Sequence, residues 1–131
     1  MLVLGYRTSE LPAFYCRESG IPLEHRVESG EEAAACLMSR WHVLVQGGVL
    51  IANPAPVAHA LPRESVDAWI AQALQAADEA GVCGKAITPF LLQFMARASG
   101  NRSVATNCAL ALSNAEVAAQ IAVAYAEKLA D

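Results

Sequence analysis

Apolar positions along this chain follow two rhythms, short continuous runs and helical spacing, and the changes between them fall at proline, glycine and capping residues. Leu2 to Tyr6 is a continuous run closed by Gly5 and the polar Arg7-Thr8-Ser9, which predicts a buried strand ending in a loop. Val43-Leu44-Val45 and Val49-Leu50-Ile51 flank Gln46-Gly47-Gly48, which predicts two short strands around a glycine turn, as a hairpin or one bent strand. Asn53-Pro54 stops the second. From Arg63 to Ala80 the rhythm changes: Val66, Trp69, Ile70, Ala73, Leu74 and Ala77 recur at helical spacing, with Glu64, Asp67, Gln75 and Asp78 opposite. Pro62 starts that helix and Gly81 ends it.

Capping residues add further elements. Ser29-x-x-Glu32 has the spacing of a capping box, and a helix from about Gly30 to Trp41 follows. Thr88 supplies an N-cap and Pro89 a first-turn proline for a helix that runs through Leu91, Leu92 and Met95 to Gly100. Ser103 caps a further segment, and Ser113-x-x-Glu116 is a second capping box inside an Ala-rich stretch, so two consecutive helices are expected there. After Pro12 a short helical turn through Tyr15 and Arg17 is expected to reach Gly20, with an extended segment from Ile21 to about Val27. Strands interleaved with amphipathic helices predict an α/β layered domain, a small sheet covered by helices, and 131 residues suit a single domain. A strand at the first residue needs a neighbour for its backbone groups, so we expect a chain taken from something longer.

Composition narrows the function classes. Apolar residues make up 55% of the chain, mostly Ala, Val and Leu, and the apolar stretches are interrupted well short of the roughly 20 residues of a membrane span. No spanning helix is therefore expected. Met1-Leu2-Val3-Leu4 lacks the basic flank of a secretion signal, so a cytoplasmic location is the expectation. Net charge is −4 with the signs interspersed, and no Lys/Arg stripe suits polymeric nucleic acid. Cys16, Cys36, Cys83 and Cys108 form no Cys-x-x-Cys pair, which argues for reduced, mostly buried thiols and against a zinc or thioredoxin-like site.

Residue chemistry alone shows no catalytic centre. His25, His42 and His59 lack ligand spacing, any Cys–His pairing is unconstrained by sequence, and the carboxylates fall on solvent faces of helices. Two features stand apart: the Gly47-Gly48 loop leading to Asn53-Pro54, and Lys85-x-x-Thr88-Pro89 at a helix start, where free amides suit anions. Read structurally, Lys85 is a solvated loop lysine and Thr88 a simple cap. Asn107 lies inside a helix between Val104 and Leu110, and its carboxamide needs partners. Either it ties down the junction before the second capping box, or it points into a cavity and reads a ligand's polar edge.

The string from Val3 to Tyr15, Val-Leu-Gly-Tyr-Arg-Thr-Ser-Glu-Leu-Pro-Ala-Phe-Tyr, resembles a signature segment of the pseudouridine-5'-phosphate glycosidases, the indigoidine synthase A-like family. Further blocks follow in the family's order: Gly47 to Pro54, Gly84-Lys85 with Thr88 to Leu92, Arg102-Ser103, and Asn107 with Ala109-Leu110 and Asn114-Ala115. Departures are Gln46, where proline is more frequent, and Cys108, where an aliphatic residue is usual. The resemblance covers essentially this whole chain and the C-terminal part of the family's length, which implies the C-terminal part of a layered α/β/α domain.

What the resemblance implies for chemistry is mostly absence. Family members use a lysine that forms a Schiff base with ring-opened ribose 5-phosphate, for reversible cleavage of the carbon–carbon glycosidic bond to uracil. That lysine, the acid/base glutamate, the aspartate that binds a divalent ion such as manganese, and the main phosphate-binding lysine belong to the part not represented here; Lys85 and Lys128 match none of them. No catalytic residue and no metal are thus expected on this chain alone. The resemblance implies substrate-binding roles for Asn107, near the nucleobase, and for Asn53 and Thr88, whose loops support the pocket. The expected ligand is pseudouridine 5'-phosphate once an N-terminal half completes the site. The competing expectation is a non-catalytic truncated module that self-associates or binds a partner. Apolar faces left uncovered predict a homo-oligomer, most simply a dimer, and a stand-alone thiol enzyme is the third class.

Overall fold

In the computed structural model, which describes residues 1–44 and 47–130, the apolar run at the start of the chain becomes the middle strand of a parallel sheet. β1 (Leu2–Tyr6) lies between β2 (Arg26–Val27) and β3 (Val49–Ala52) in the order β2-β1-β3. Leu2 pairs with Val49 and Gly5 with Ala52 on one side, and Gly5 with Arg26 on the other. Alternation along β1 sends Leu4 and Tyr6 to one face, where they are buried with Val27, Ala33, Leu37 and Ile121. That core joins the sheet to α1 (Gly30–Met38) and α4 (Arg102–Ala130). The chain is α/β, with three strands and four α-helices among the described residues.

A second cluster, Tyr15, Cys16, Leu61, Val66 and Met95, is formed by the loop after β1, α2 (Arg63–Glu79) with Leu61 just before it, and α3 (Ile87–Ala98). Neither cluster includes Val3 or Leu50, which pair across β1 and β3 on the opposite sheet face, and Leu50 is 45% exposed.

Helix ends follow local chemistry closely. Ser29 Oγ accepts the Glu32 amide at 3.3 Å, while the Glu32 carboxylate reaches back to the Glu28 amide at 2.8 Å, one residue before the box's usual donor. Gly81 and Gly100 end α2 and α3 with φ of 65° and 60°. There Val82 N–H donates to Ala77 C=O at 2.9 Å and Asn101 N–H to Ala96 C=O at 2.8 Å, closing both helices with Schellman turns.

Several expectations are corrected. No hairpin surrounds Gly47-Gly48: β3 pairs in parallel with β1, and α1 continues through a π turn, Ser39–Val43, that absorbs Val43, while Val45 and Gln46 lie outside the described residues. Residues 12–20 form no helix; Ala13 bridges Cys16 around Phe14 at φ 62°. α3 starts at Ile87 behind a 3-10 turn, Gly84–Ala86, so Thr88 lies inside the first turn and caps nothing, and Pro89 falls where an amide has no intrahelical acceptor. The two helices expected after Ser103 are one. The Ser-x-x-Glu spacing at residues 113–116 is also one turn of uninterrupted helix, and Ser113 Oγ accepts from Asn53 instead of from a helix start. Only Cys16 of the four free thiols is buried; Cys83 and Cys108 are exposed. Finally, α4 is long and apolar enough, by length and composition, to cross a bilayer, although Ser113, Asn114, Glu116 and Gln120 interrupt it midway.

Candidate functional site

A parallel sheet delivers the loops after its strands to one end, and ligand sites of α/β sheets form there. At that end stand Tyr6, the last residue of β1, Arg7 after it, and Asn53 after β3. α4 passes alongside with a polar stripe at i, i+3 and i+7, namely Ser113, Glu116 and Gln120. Together with Arg17 these residues line a recess of about 240 Å³.

Its walls are held by hydrogen bonds across long sequence separations. Tyr6 Oη donates to Gln120 Oε1 at 3.2 Å. Asn53 Nδ2 donates to Ser113 Oγ at 3.0 Å and to Asn114 Oδ1 at 2.9 Å, which locks the end of β3 to the middle of α4. Arg7 Nε donates to the Glu28 carbonyl at 2.8 Å, and its guanidinium sits 5.2 Å from the Tyr6 ring centroid. Arg17 donates to the Ala55 carbonyl. Two arginines, Arg7 and Arg17, and one carboxylate residue, Glu116, line the recess, a charge balance that suits the polar or anionic end of a small molecule.

Beside the recess, along the outer edge of β3, runs a larger apolar groove of about 680 Å³. Leu50 and Ile51, Trp41 of the π turn, Phe14, and Val117 and Ala118 of α4 line it. Asn53 borders both hollows.

The sequence-derived candidates are distributed unevenly over these features. Asn53 stands at the junction of recess and groove. Asn107 is exposed on α4, seven residues before the groove residue Asn114. Seven residues return a helix to within about 20° of the same direction and advance it about 10 Å, so Asn107 shares that side of α4 but lies beyond the residues that line either hollow. Thr88 is exposed on α3 and lines neither hollow. Sequence reasoning singled out none of Tyr6, Arg7, Arg17, Glu116 or Gln120 individually. The signal that would have found the last two is the polar i, i+3, i+7 stripe in an otherwise Ala-rich helix.

The candidate nucleophiles Cys16, Lys85 and Lys128 lie outside both hollows. Burial, and next the charge of Asp67, push the Cys16 thiol up, so it stays protonated. Lys85, on the 3-10 turn before α3, and Lys128, near the end of α4, are both exposed and line neither hollow. His42 is engaged with Tyr125 Oη at 2.9 Å. Among the described residues no three His, Cys, Asp or Glu side chains are grouped so as to hold a metal ion.

Comparison with known proteins agrees with this architecture. The profile of the family described as indigoidine synthase A like protein matches residues 1–124. A pseudouridine-5'-phosphate glycosidase of Myxococcus xanthus is 49% identical over 124 residues, covering 95% of this chain and 41% of the relative. One from Symbiobacterium thermophilum is 47% identical, covering 93% and 40%. Among solved structures, the prealnumycin C-glycosynthase AlnA, in complex with ribulose 5-phosphate, superposes with a TM-score of 0.90 at 35% identity, over 99% of this chain and 43% of that one. An indigoidine synthase A-like protein from Thermotoga maritima gives 0.81 at 29% identity, over 94% and 40%. The chain therefore spans about two-fifths of the length of the curated relatives it matches. On the strength of the profile match and these identities, the chain belongs to the indigoidine synthase A-like family.

Proposed function

We propose that this chain is the C-terminal portion of a pseudouridine-5'-phosphate glycosidase and forms one wall of its active site, without turning over substrate by itself. The reaction is reversible cleavage of the carbon–carbon bond between uracil and ribose 5-phosphate. In this reading Asn107 offers its carboxamide to the polar edge of the base, and Asn53 fixes the strand-to-helix junction beside it. Thr88 acts at one remove, through the α3 surface. The capturing amine, the acid/base group and the manganese ligands come from the complementary part of the fold.

One observation carries the claim of inactivity. Imine chemistry needs a lysine held in a desolvated or cationic pocket that lowers its pKa, and both lysines here are exposed and outside either hollow. The chain incubated alone with pseudouridine 5'-phosphate and Mn²⁺ is expected to release no uracil. Co-expressed with the part of the Myxococcus xanthus relative outside the matched segment, it is expected to release uracil. Turnover by the chain alone near the rate of a full-length relative, or a borohydride-trapped sugar adduct on Lys85 or Lys128, overturns the proposal. In the completed assembly Asn107→Ala is expected to lower kcat/KM at least about tenfold, the equivalent of one lost hydrogen bond.

The second reading, a non-catalytic module, draws on the apolar groove, which equips the chain to bind another polypeptide whether or not chemistry follows. Uracil release from the co-expressed pair would rule it out.

A further inference from the structure

The apolar groove runs along a strand edge that has no strand partner among the described residues. Among the described residues β3 pairs only with β1. The Gly48 carbonyl accepts the Leu2 amide, and since backbone groups alternate in direction along a strand, the N–H and C=O of Val49 and Ile51 point outward, away from β1, and Ile51 lines the groove.

Side chains on both sides of that edge are apolar. Ile51, Val117 and Ala118 line the groove on the α4 side, and Leu50 and Phe14, 45% and 47% exposed, line it on the other. β1 and β3 are apolar at nearly every position, Leu-Val-Leu-Gly-Tyr and Val-Leu-Ile-Ala. That is the composition of parallel strands buried on both faces, and such sheets occur almost only with both faces covered. Here α1 and α4 cover one face and Leu50 is left open on the other.

From this we infer that the β3 edge and the Leu50 face form the docking surface for the complementary portion of the family's own fold, which adds an apolar strand alongside β3 and cover over Leu50. The inference rests on the proposed function only for the partner's identity. What favours that occupant over a second copy is the match to a single longer polypeptide. AlnA reproduces this whole chain at a TM-score of 0.90 within 43% of its own length. A chain that keeps its shape inside a longer one keeps the same open edge there, and the rest of that polypeptide is at hand to close it.

The probe is the part of the Myxococcus xanthus relative outside the matched segment, co-expressed with this chain carrying an affinity tag. Copurification is expected, with hydrogen exchange at Val49 and Ile51 slowed at least tenfold relative to the chain alone. Leu50→Lys and Ala118→Arg, both at exposed positions, are expected to cut recovery of the partner at least tenfold while leaving the circular dichroism of the chain unchanged. Leu74→Lys, at a residue 51% exposed on α2 and away from the groove, is the control and is expected to copurify like the wild type. Failure to copurify, unchanged exchange at β3, or full recovery with Leu50→Lys overturns the inference. So does a dimer of the chain alone that Leu50→Lys dissociates, because the groove would then belong to a second copy. A groove-dependent complex without uracil release leaves the docking surface standing and refutes the glycosidase reading. Uracil release that survives Leu50→Lys does the reverse.

Discussion

Replacing Asn53 with alanine removes the two hydrogen bonds that join β3 to α4, to Ser113 Oγ at 3.0 Å and Asn114 Oδ1 at 2.9 Å. Asn53 is half-buried and Asn114 exposed, so each bond contributes at the lower end of the usual net range, and the pair together about 1–2 kcal/mol. A chain of this size has a urea m-value of about 1–3 kcal/mol/M, so the unfolding midpoint should fall by roughly 0.3–2 M with m unchanged. Size alone does not separate a lost bond from a small cavity, so the assay is a double-mutant cycle. Ser113→Ala is measured alone and combined with Asn53→Ala, and Asn114→Ala likewise. If the bonds hold the junction, the second substitution costs little once Asn53 is gone, and the coupling over both partners comes to about 1 kcal/mol. Additivity within about 0.3 kcal/mol, the behaviour of independent sites, refutes the claim that Asn53 ties the strand to the helix. A single-mutant cost near zero refutes it sooner.

Gly5→Ala places a Cβ 2.1 Å from the Thr8 carbonyl oxygen, a backbone atom that cannot swing aside. The expected loss is about 3 kcal/mol or more, at the upper end for overpacking, and an unchanged urea midpoint would contradict it. Alkylation followed by mass spectrometry should modify exposed Cys83 and Cys108 first and buried Cys16 last; Cys16 reacting as fast as Cys83 would show that the second cluster is open. Burial raises the Cys16 thiol above its ordinary 9.0 and the Tyr15 phenol above 10.0. Both groups ionise first in the unfolded chain, so their contribution is complete below those ordinary values and is lost as pH rises through the folded ones. The urea midpoint should therefore decline above pH 9 and decline less in Cys16→Ala, whereas a flat profile to pH 10.5 would refute it.

Local signals were the legible ones. Ser29 and Glu32 mark the start of α1, and Gly81 and Gly100 end α2 and α3, because a cap is settled by groups within one turn of the chain. The apolar runs of β1 and β3 announced strands, and the family resemblance picked out Asn53 at the end of the second. The Ser-x-x-Glu spacing at 113–116 misled because it is shared by a helix start and a helix interior, and nothing local separates the two. What separates them is Asn53, sixty residues away, whose side chain turns Ser113 to a tertiary contact.

The sequence by itself determined which segments are apolar enough to be strands, where most helices stop, and to which family the chain is related. Only the tertiary structure decided that β3 pairs in parallel with β1 instead of forming a hairpin. Strand pairing depends on which distant backbone groups meet, and the residues between leave no local record of it. The recess likewise exists only where the ends of β1 and β3 meet the polar stripe of α4. The open edge of β3 is of the same kind: an apolar strand reads identically in sequence whether one side or both sides of it are paired.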